Sequence, residues 1–253
     1  MEDEQRLSRI ATQWSIVRRA HDDSGEDQQS AQQVMLDRYG GAVRRYLIAS
    51  LRDVDAAEDV FQDFALRFLR GDFPSANPEQ GKFRGFLKTV IGRMVVVYHR
   101  RRQRRNRHEV HVQEDLPAVA NDVDTAAVDF SVSWREDLLA RAWEQLREVE
   151  SREGRPYYTV LRCRVEQPDT KSQELAALLS ERLSKPLTAG NVRVLVHRAR
   201  DRFAEFLLAE VAGSVDATSL DHLEQELIEL RLHDYCREPL DRMRERRELT
   251  GKA

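Results

Sequence analysis

Apolar residues recur at helical spacing along most of this chain, and no stretch alternates long enough to predict a strand. Met35, Tyr39, Val43 and Leu47 step by four; Phe61, Phe64, Ala65 and Phe68 form a second face, and Phe86, Val90, Met94 and Val97 a third. Residues three and four apart share one side of an α-helix, so each set predicts an amphipathic helix. The run Val95-Val96-Val97 would also suit a strand, because β-branched side chains are stiff about χ1. It sits inside a 3.6-periodic stretch with no turn residues before it, which favours helix. Gly71-Asp72-Phe73-Pro74-Ser75-Ala76-Asn77-Pro78 concentrates turn formers and predicts a loop between the second and third helices. From about Asn106 to Val132 the periodicity fades, acids and small residues dominate and Pro117 interrupts, as in a linker.

A second periodic block follows. Leu138, Leu139, Ala142, Trp143, Leu146 and Val149 predict one helix, and Tyr158, Leu161 and Val165 a shorter one closed by Pro168. Ser172 is the expected N-cap of a helix carrying Leu175, Leu178, Leu179 and Leu183. Thr188 is the expected N-cap of one carrying Val192, Val196, Ala199, Phe203 and Leu207. Only Ser184-Lys185-Pro186-Leu187 separates them, and two helices joined by a short turn, the second rich in Arg, form a helix-turn-helix pattern. The tail predicts one more helix, Ser219 to about His233, striped with Leu220, Leu223, Leu227 and Leu230, before Pro239 and a mixed-charge end. The expected class is all-α, and no repeat is evident.

Charge changes this picture more than composition does. The 253 residues carry a formal net charge of only -3, which excludes a uniformly basic nucleic-acid coat. The distribution is segregated. Residues 81–108 hold Lys82, Arg84, Lys88, Arg93, Arg100, Arg101, Arg102, Arg104, Arg105 and Arg107 with no acid, and 109–134 hold six acids with no Lys or Arg. So many cations on one segment repel each other unless a polyanion shares the site, and DNA is the natural partner. Interleaved with those cations, Phe83 and Phe86 could hold an unstacked base, although Phe86 is better explained as core. Arg193, His197, Arg198, Arg200 and Arg202 supply a second basic surface on the last helix of the helix-turn-helix, whose N-terminal residues reach base edges in such motifs.

Enzyme motifs are missing: no Gly-rich phosphate loop, H-E-x-x-H, G-x-S-x-G or C-x-x-C occurs. His108 and His111 lie in the linker without a thiolate, and Glu58, Asp59 and Asp63 read as a solvated helix face. Cys163 and Cys236 give neither a disulfide framework nor a metal spacing. No run approaches the roughly 18 apolar residues of a membrane helix, and the N-terminus lacks a signal-peptide pattern. The expectation is a soluble cytoplasmic protein that is not an enzyme and uses no cofactor or metal.

Three segments carry a resemblance. Ala57-Glu58-Asp59-Val60-Phe61-Gln62-Asp63 resembles the A-E-D-L-V-Q-E motif of bacterial RNA polymerase sigma factors of the extracytoplasmic-function (ECF) type. Phe83-Arg84-Gly85-Phe86-Leu87 and the arginine run are similar to their F-R-G-W-L helix ending in R-R-R. Val192-Arg193-Val194-Leu195-Val196-His197-Arg198-Ala199-Arg200 resembles their V-K-S-R-L-H-R-A-R recognition helix, with Val194-Leu195 in place of Ser-Arg. Arg93 stands where the family usually has Asn. Thr12 to Val17 and the tail around Leu220 to Leu230 are similar to the longer ECF-like factors of planctomycete bacteria.

The resemblance implies an N-terminal extension (1–30), a sigma region 2-like domain (31–106), an acidic linker (107–133), a sigma region 4-like helix-turn-helix domain (134–212) and a C-terminal helical extension (213–253). The first domain would bind the β′ clamp helices of core RNA polymerase through Asp59, Gln62 and Asp63. It would read and melt the minus-ten element with Lys82, Arg84, Lys88, Arg93, Arg100, Arg101 and Arg104. The second would sit on the β flap and bind the minus-35 element through Thr188, Asn191, Arg193, His197, Arg198 and Arg200. An anti-sigma factor is a further candidate partner. The alternative reading is a stand-alone helix-turn-helix regulator, dimerising through the leucine stripe of the tail. An enzyme with an appended DNA-binding domain is disfavoured by the missing motifs.

Overall fold

A computed structural model of the chain describes residues 26–70, 72–73, 83–106, 130–213 and 220–250. Among them every element is helical: α1 (Glu26–Leu51), α2 (Val54–Arg70), α3 (Phe83–Asn106), α4 (Phe130–Glu153), α5 (Tyr157–Glu166), α6 (Ser172–Arg182), α7 (Ala189–Ala212), α8 (Leu220–Glu229) and α9 (His233–Thr250). The chain divides into two compact units, residues 1–137 and 138–253. Thr12 to Val17, Lys82, the histidines of the linker and its acids from Glu109 to Asp129 lie outside the described residues, as does most of the 71–78 loop.

In the first unit α1 packs against α2, and both pack against α3. Arg52, in the left-handed region with φ 52°, ends α1; Asp53 then accepts the Ala56 N–H at 3.1 Å, satisfying one of the orphan donors that begin α2. The expected faces close the core: Met35, Tyr39, Val43 and Leu47, Phe61, Phe64 and Phe68, and Val90 and Met94 are all buried, and Val95 is buried within a continuous helix. Phe73, in the loop after α2, stacks on Phe64 with ring centroids 5.7 Å apart. Phe86 is half-buried.

The first two turns of α4 also pack in this unit. Phe130 meets Tyr46 edge-on at 5.6 Å, Trp134 stacks on Tyr39 at 4.8 Å, and buried Asp137 pairs with Arg45 at 3.4 Å. The linker expected over 107–133 therefore gives way to helix at Phe130, four residues earlier than expected. The reason lies in Phe130 and Trp134, which find aromatic partners on α1 that periodicity within α4 cannot reveal.

In the second unit α5, α6 and α7 enclose Val160, Cys163, Leu175, Ala176, Leu179, Val192 and Val196, with Leu183, Leu187 and Leu195 packed against them. Trp143 meets Phe203 at 4.8 Å. Three expectations are corrected here. Ser172 is the first helical residue of α6 rather than its N-cap; Lys171 holds that position and makes no side-chain cap. The buried side of α5 is Tyr157, Val160, Leu161 and Cys163, leaving Val165 exposed, and Leu178 of α6 is exposed as well. The tail is two helices: α8 ends at Glu229, Arg231 turns in the left-handed region, and α9 runs straight through Pro239. An interior proline disfavours helix by about 3 kcal/mol, so packing must outweigh it. Leu232, just before α9, and Cys236 and Leu240 on it are almost wholly buried, with α9 lying on α7, and Arg242 reaches Glu205 at 3.3 Å.

Candidate nucleic-acid interface

Two basic helices, one in each unit, carry the sites expected from the sequence. On α3 the core side is Leu87, Val90, Ile91, Met94 and Val95. Stepping 100° per residue, Arg93, Arg100 and Arg104 fall on one line away from that side, and the structure leaves Arg100 exposed and the other two half-exposed. Lys88 is exposed on the same helix. Arg101 belongs to a different group: with Arg105, Tyr98, Met94 and Val97 it faces Asp59, Val60, Asp63 and Arg67 of α2 across a cleft of about 210 Å³. Arg101, expected with the DNA-binding cations, and Asp59 and Asp63, expected to bind polymerase, thus line one mixed-charge cleft. Arg102 lies 4.0 Å from Asp53. Arg84 is placed in α3 by its backbone.

The side of α2 that adjoins this cleft is open, with Asp59 at the border between the two. Asp55, Asp59, Gln62 and Leu66 are all exposed at helical spacing, whereas Asp63 is half-exposed and paired with Arg67 at 2.9 Å. Leu66 and Leu69, at 53% and 43% exposure, were not singled out from the sequence. They sit four and seven residues after Gln62, so helical spacing from Gln62 could have found them. Behind this helix Arg44 lies 3.7 Å over the Phe61 ring and pairs with Glu58 at 3.2 Å, which holds Glu58 out of the open face.

In the second unit the turn before α7 is built by side chains. Ser180 Oγ accepts the Leu187 N–H at 2.9 Å, and Ser184 turns in the left-handed region. Thr188 then caps α7 as expected. Its Oγ1 accepts the Asn191 N–H at 3.1 Å, and Asn191 Oδ1 accepts the Thr188 N–H, also at 3.1 Å, closing a reciprocal capping box. Thr188 and Asn191, both named as DNA-binding candidates, therefore spend their oxygens on the helix N-terminus. Arg193, His197, Arg198 and Arg200 are exposed along α7, with His197 3.7 Å from Asp201. Arg202 instead pairs with Glu205 at 3.0 Å and lies over Phe206.

Residues 35–105 match the family model of Sigma-70 region 2. The matched residues run from Met35 in α1 to Arg105 near the end of α3, and so take in both the open side of α2 and the basic helix. The match supports a sigma factor family and, with it, a role in promoter recognition through RNA polymerase and DNA; sigma factors are not an enzyme family. Neither the curated proteins nor the solved structures give a significant match. Region 2 ends 25 residues before Phe130 of α4, so the aromatic anchors Phe130 and Trp134 and the whole second unit lie outside the matched stretch. Among the described residues no helix is long and apolar enough to cross a membrane, and no group of His, Cys, Asp and Glu is arranged to hold a metal ion.

Proposed function

We propose that the chain is an alternative sigma factor of the ECF type, similar to the longer planctomycete group, which binds core RNA polymerase in the cytoplasm and directs promoter-specific initiation. The observation that carries the reading is the region 2 match on a unit whose α2 leaves Asp59 and Gln62 exposed while α3 carries the cations. The open side of α2 meets the β′ clamp helices, with Leu66 adding apolar contact to Asp59 and Gln62. Asp63 contributes at its edge. Lys82, Arg84, Lys88, Arg93, Arg100 and Arg104 meet the minus-ten region, and Arg101 serves the cleft beside α2 as well.

The helix-turn-helix of the second unit sits on the β flap and places α7 in the minus-35 major groove. The exposed Arg193, His197, Arg198 and Arg200 and a rigidly capped helix start support this assignment. The domains follow the order the sequence suggests, with the linker ending before Phe130 and residues 130–137 grouped with the first unit. An anti-sigma factor is a partner consistent with the same α2 surface.

Purified full-length chain should co-elute with bacterial core RNA polymerase and support run-off transcription from a selected promoter. Tight binding to duplex DNA without association with core enzyme would sink this reading in favour of a stand-alone regulator. Arg193→Ala should cost about 1–3 kcal/mol of discrimination between promoters if the side chain meets a base edge, and a sequence-independent amount if it meets phosphate.

A further inference from the structure

The outermost point of α7 is a valine. Val192, Val196, Ala199 and Phe203 mark the core side of this helix, and at 100° per residue Val194 stands almost directly opposite them. It is 49% exposed. Leu195 beside it turns inward and packs on the core, so of the apolar pair that replaces Ser-Arg here only Val194 reaches the outer side. One turn away on that side are Gly190, Asn191, His197 and Arg198, all exposed.

Gly190 adds a second observation. A Cβ built there would meet only Thr188 Oγ1, at 3.7 Å, which is ordinary contact. The fold therefore does not require glycine at this position. What the missing side chain does is leave bare backbone next to Val194, where another surface can approach closely. The capping box holds this end of the helix in place, and Arg193, Arg198 and Arg200 surround the patch with charge that a polyanion would match.

A duplex major groove is lined by phosphates and offers an apolar group on its floor, the 5-methyl of thymine. We propose that Val194 packs against a thymine 5-methyl group, making the upstream promoter element selective for thymine at one or two positions. The inference rests on the reading that α7 enters the major groove. It assigns to a lone exposed valine the specificity that a hydroxyl or guanidinium would otherwise supply by hydrogen bonding.

The test uses the full-length chain with bacterial core RNA polymerase and duplexes selected from a library randomised upstream of the start site. Each thymine in the selected upstream element is then replaced by deoxyuracil, which pairs identically and lacks only the methyl group. One or two replacements should weaken binding by wild type about fourfold, the weight of one buried methyl group. The same replacements should leave Val194→Ala unaffected. An upstream element that tolerates uracil everywhere, or a uracil penalty equally large in Val194→Ala, overturns the inference and leaves the sigma factor reading standing. If no upstream element is selected at all, the groove-binding role of α7 falls and this inference with it.

Discussion

Gly40 and Gly41, adjacent in the middle of α1, should respond in opposite directions to the same one-carbon change. Alanine in a helix interior is favoured over glycine by about 1 kcal/mol, so both substitutions begin with that gain. At Gly40 a Cβ would touch the Phe61 ring, 3.4 Å away, and the far end of Arg44 at 4.0 Å, and most of the gain should survive. At Gly41 the same atom would fall inside the Asp137 carboxylate, 2.9 Å from Cγ and closer still to Oδ1. Asp137 is buried and paired with Arg45 at 3.4 Å, so it cannot swing aside without breaking that pair. Overpacking of this kind costs about 1–3 kcal/mol, which leaves Gly41→Ala destabilised by up to about 2 kcal/mol. With a urea m-value of about 1–3 kcal/mol/M, the larger losses move the midpoint by roughly 1 M. Trp134 fluorescence in a chain carrying Trp14→Phe and Trp143→Phe reports the first unit specifically, since Trp134 stacks on Tyr39. The decisive comparison is Gly41→Ala in an Asp137→Ala background, where the clash is gone and the substitution should become stabilising by about 1 kcal/mol. If Gly41→Ala shifts the midpoint by the same amount in both backgrounds, the packing of α4 on α1 is not as described.

Changing Asp59 and Gln62 together to Ala should weaken binding to core polymerase while leaving the thermal melt unchanged, because both are exposed and lie off the Phe61, Phe64 and Phe68 side; unaltered affinity for core would count against that surface. Truncation after Gly213 should strip the cover from α7 and yield insoluble chain, whereas soluble protein with raised run-off activity would make the tail an inhibitor instead. Glu224 is hydrogen-bonded by Arg244, which holds its carboxyl below the usual value of 4.5. Its contribution to stability is therefore present above about pH 4.5 and is lost as pH falls through the lower folded value. Glu224→Gln should melt lower than wild type at pH 7, with the gap closing as pH falls below about 4.5; a gap that stays constant in acid refutes the linkage. Both cysteines are buried, and burial pushes the Cys236 thiol up to about 12. Iodoacetamide at pH 8 should leave the native chain unmodified and alkylate both sites in denaturant, with rapid native labelling as the contrary result.

Much of the fold was legible in the spacing of apolar residues because a helix imposes its period on the chain that forms it. The faces of α1, α2 and α7, the helical state of Val95 to Val97 and the Thr188 cap all follow from residues within a few positions of each other. Local reasoning failed where the partner was distant in sequence. Leu178 and Val165 keep the period of a core yet face solvent, because the sides of α5 and α6 that count are those turned toward α7. Pro239 reads as a helix stop until Cys236 and Leu240 are seen packed in the second unit.

The candidate sites divide in the same way. Charge segregation and the region 2 pattern were visible in the order of residues alone, since covalent sequence dictates which charges ride on one helix. Which of those charges share a surface was a tertiary matter. Helical rotation parted Arg101 from Arg93, Arg100 and Arg104 and set it across from Asp59 and Asp63, and it turned Val194 outward while packing half-buried Leu195 against the core. The sequence by itself thus determined the helices, their two-unit order and the kind of polyanion they suit. Only packing decided which side of each helix remains to meet it, because burial consumes one face and the choice of face depends on neighbours tens of residues away.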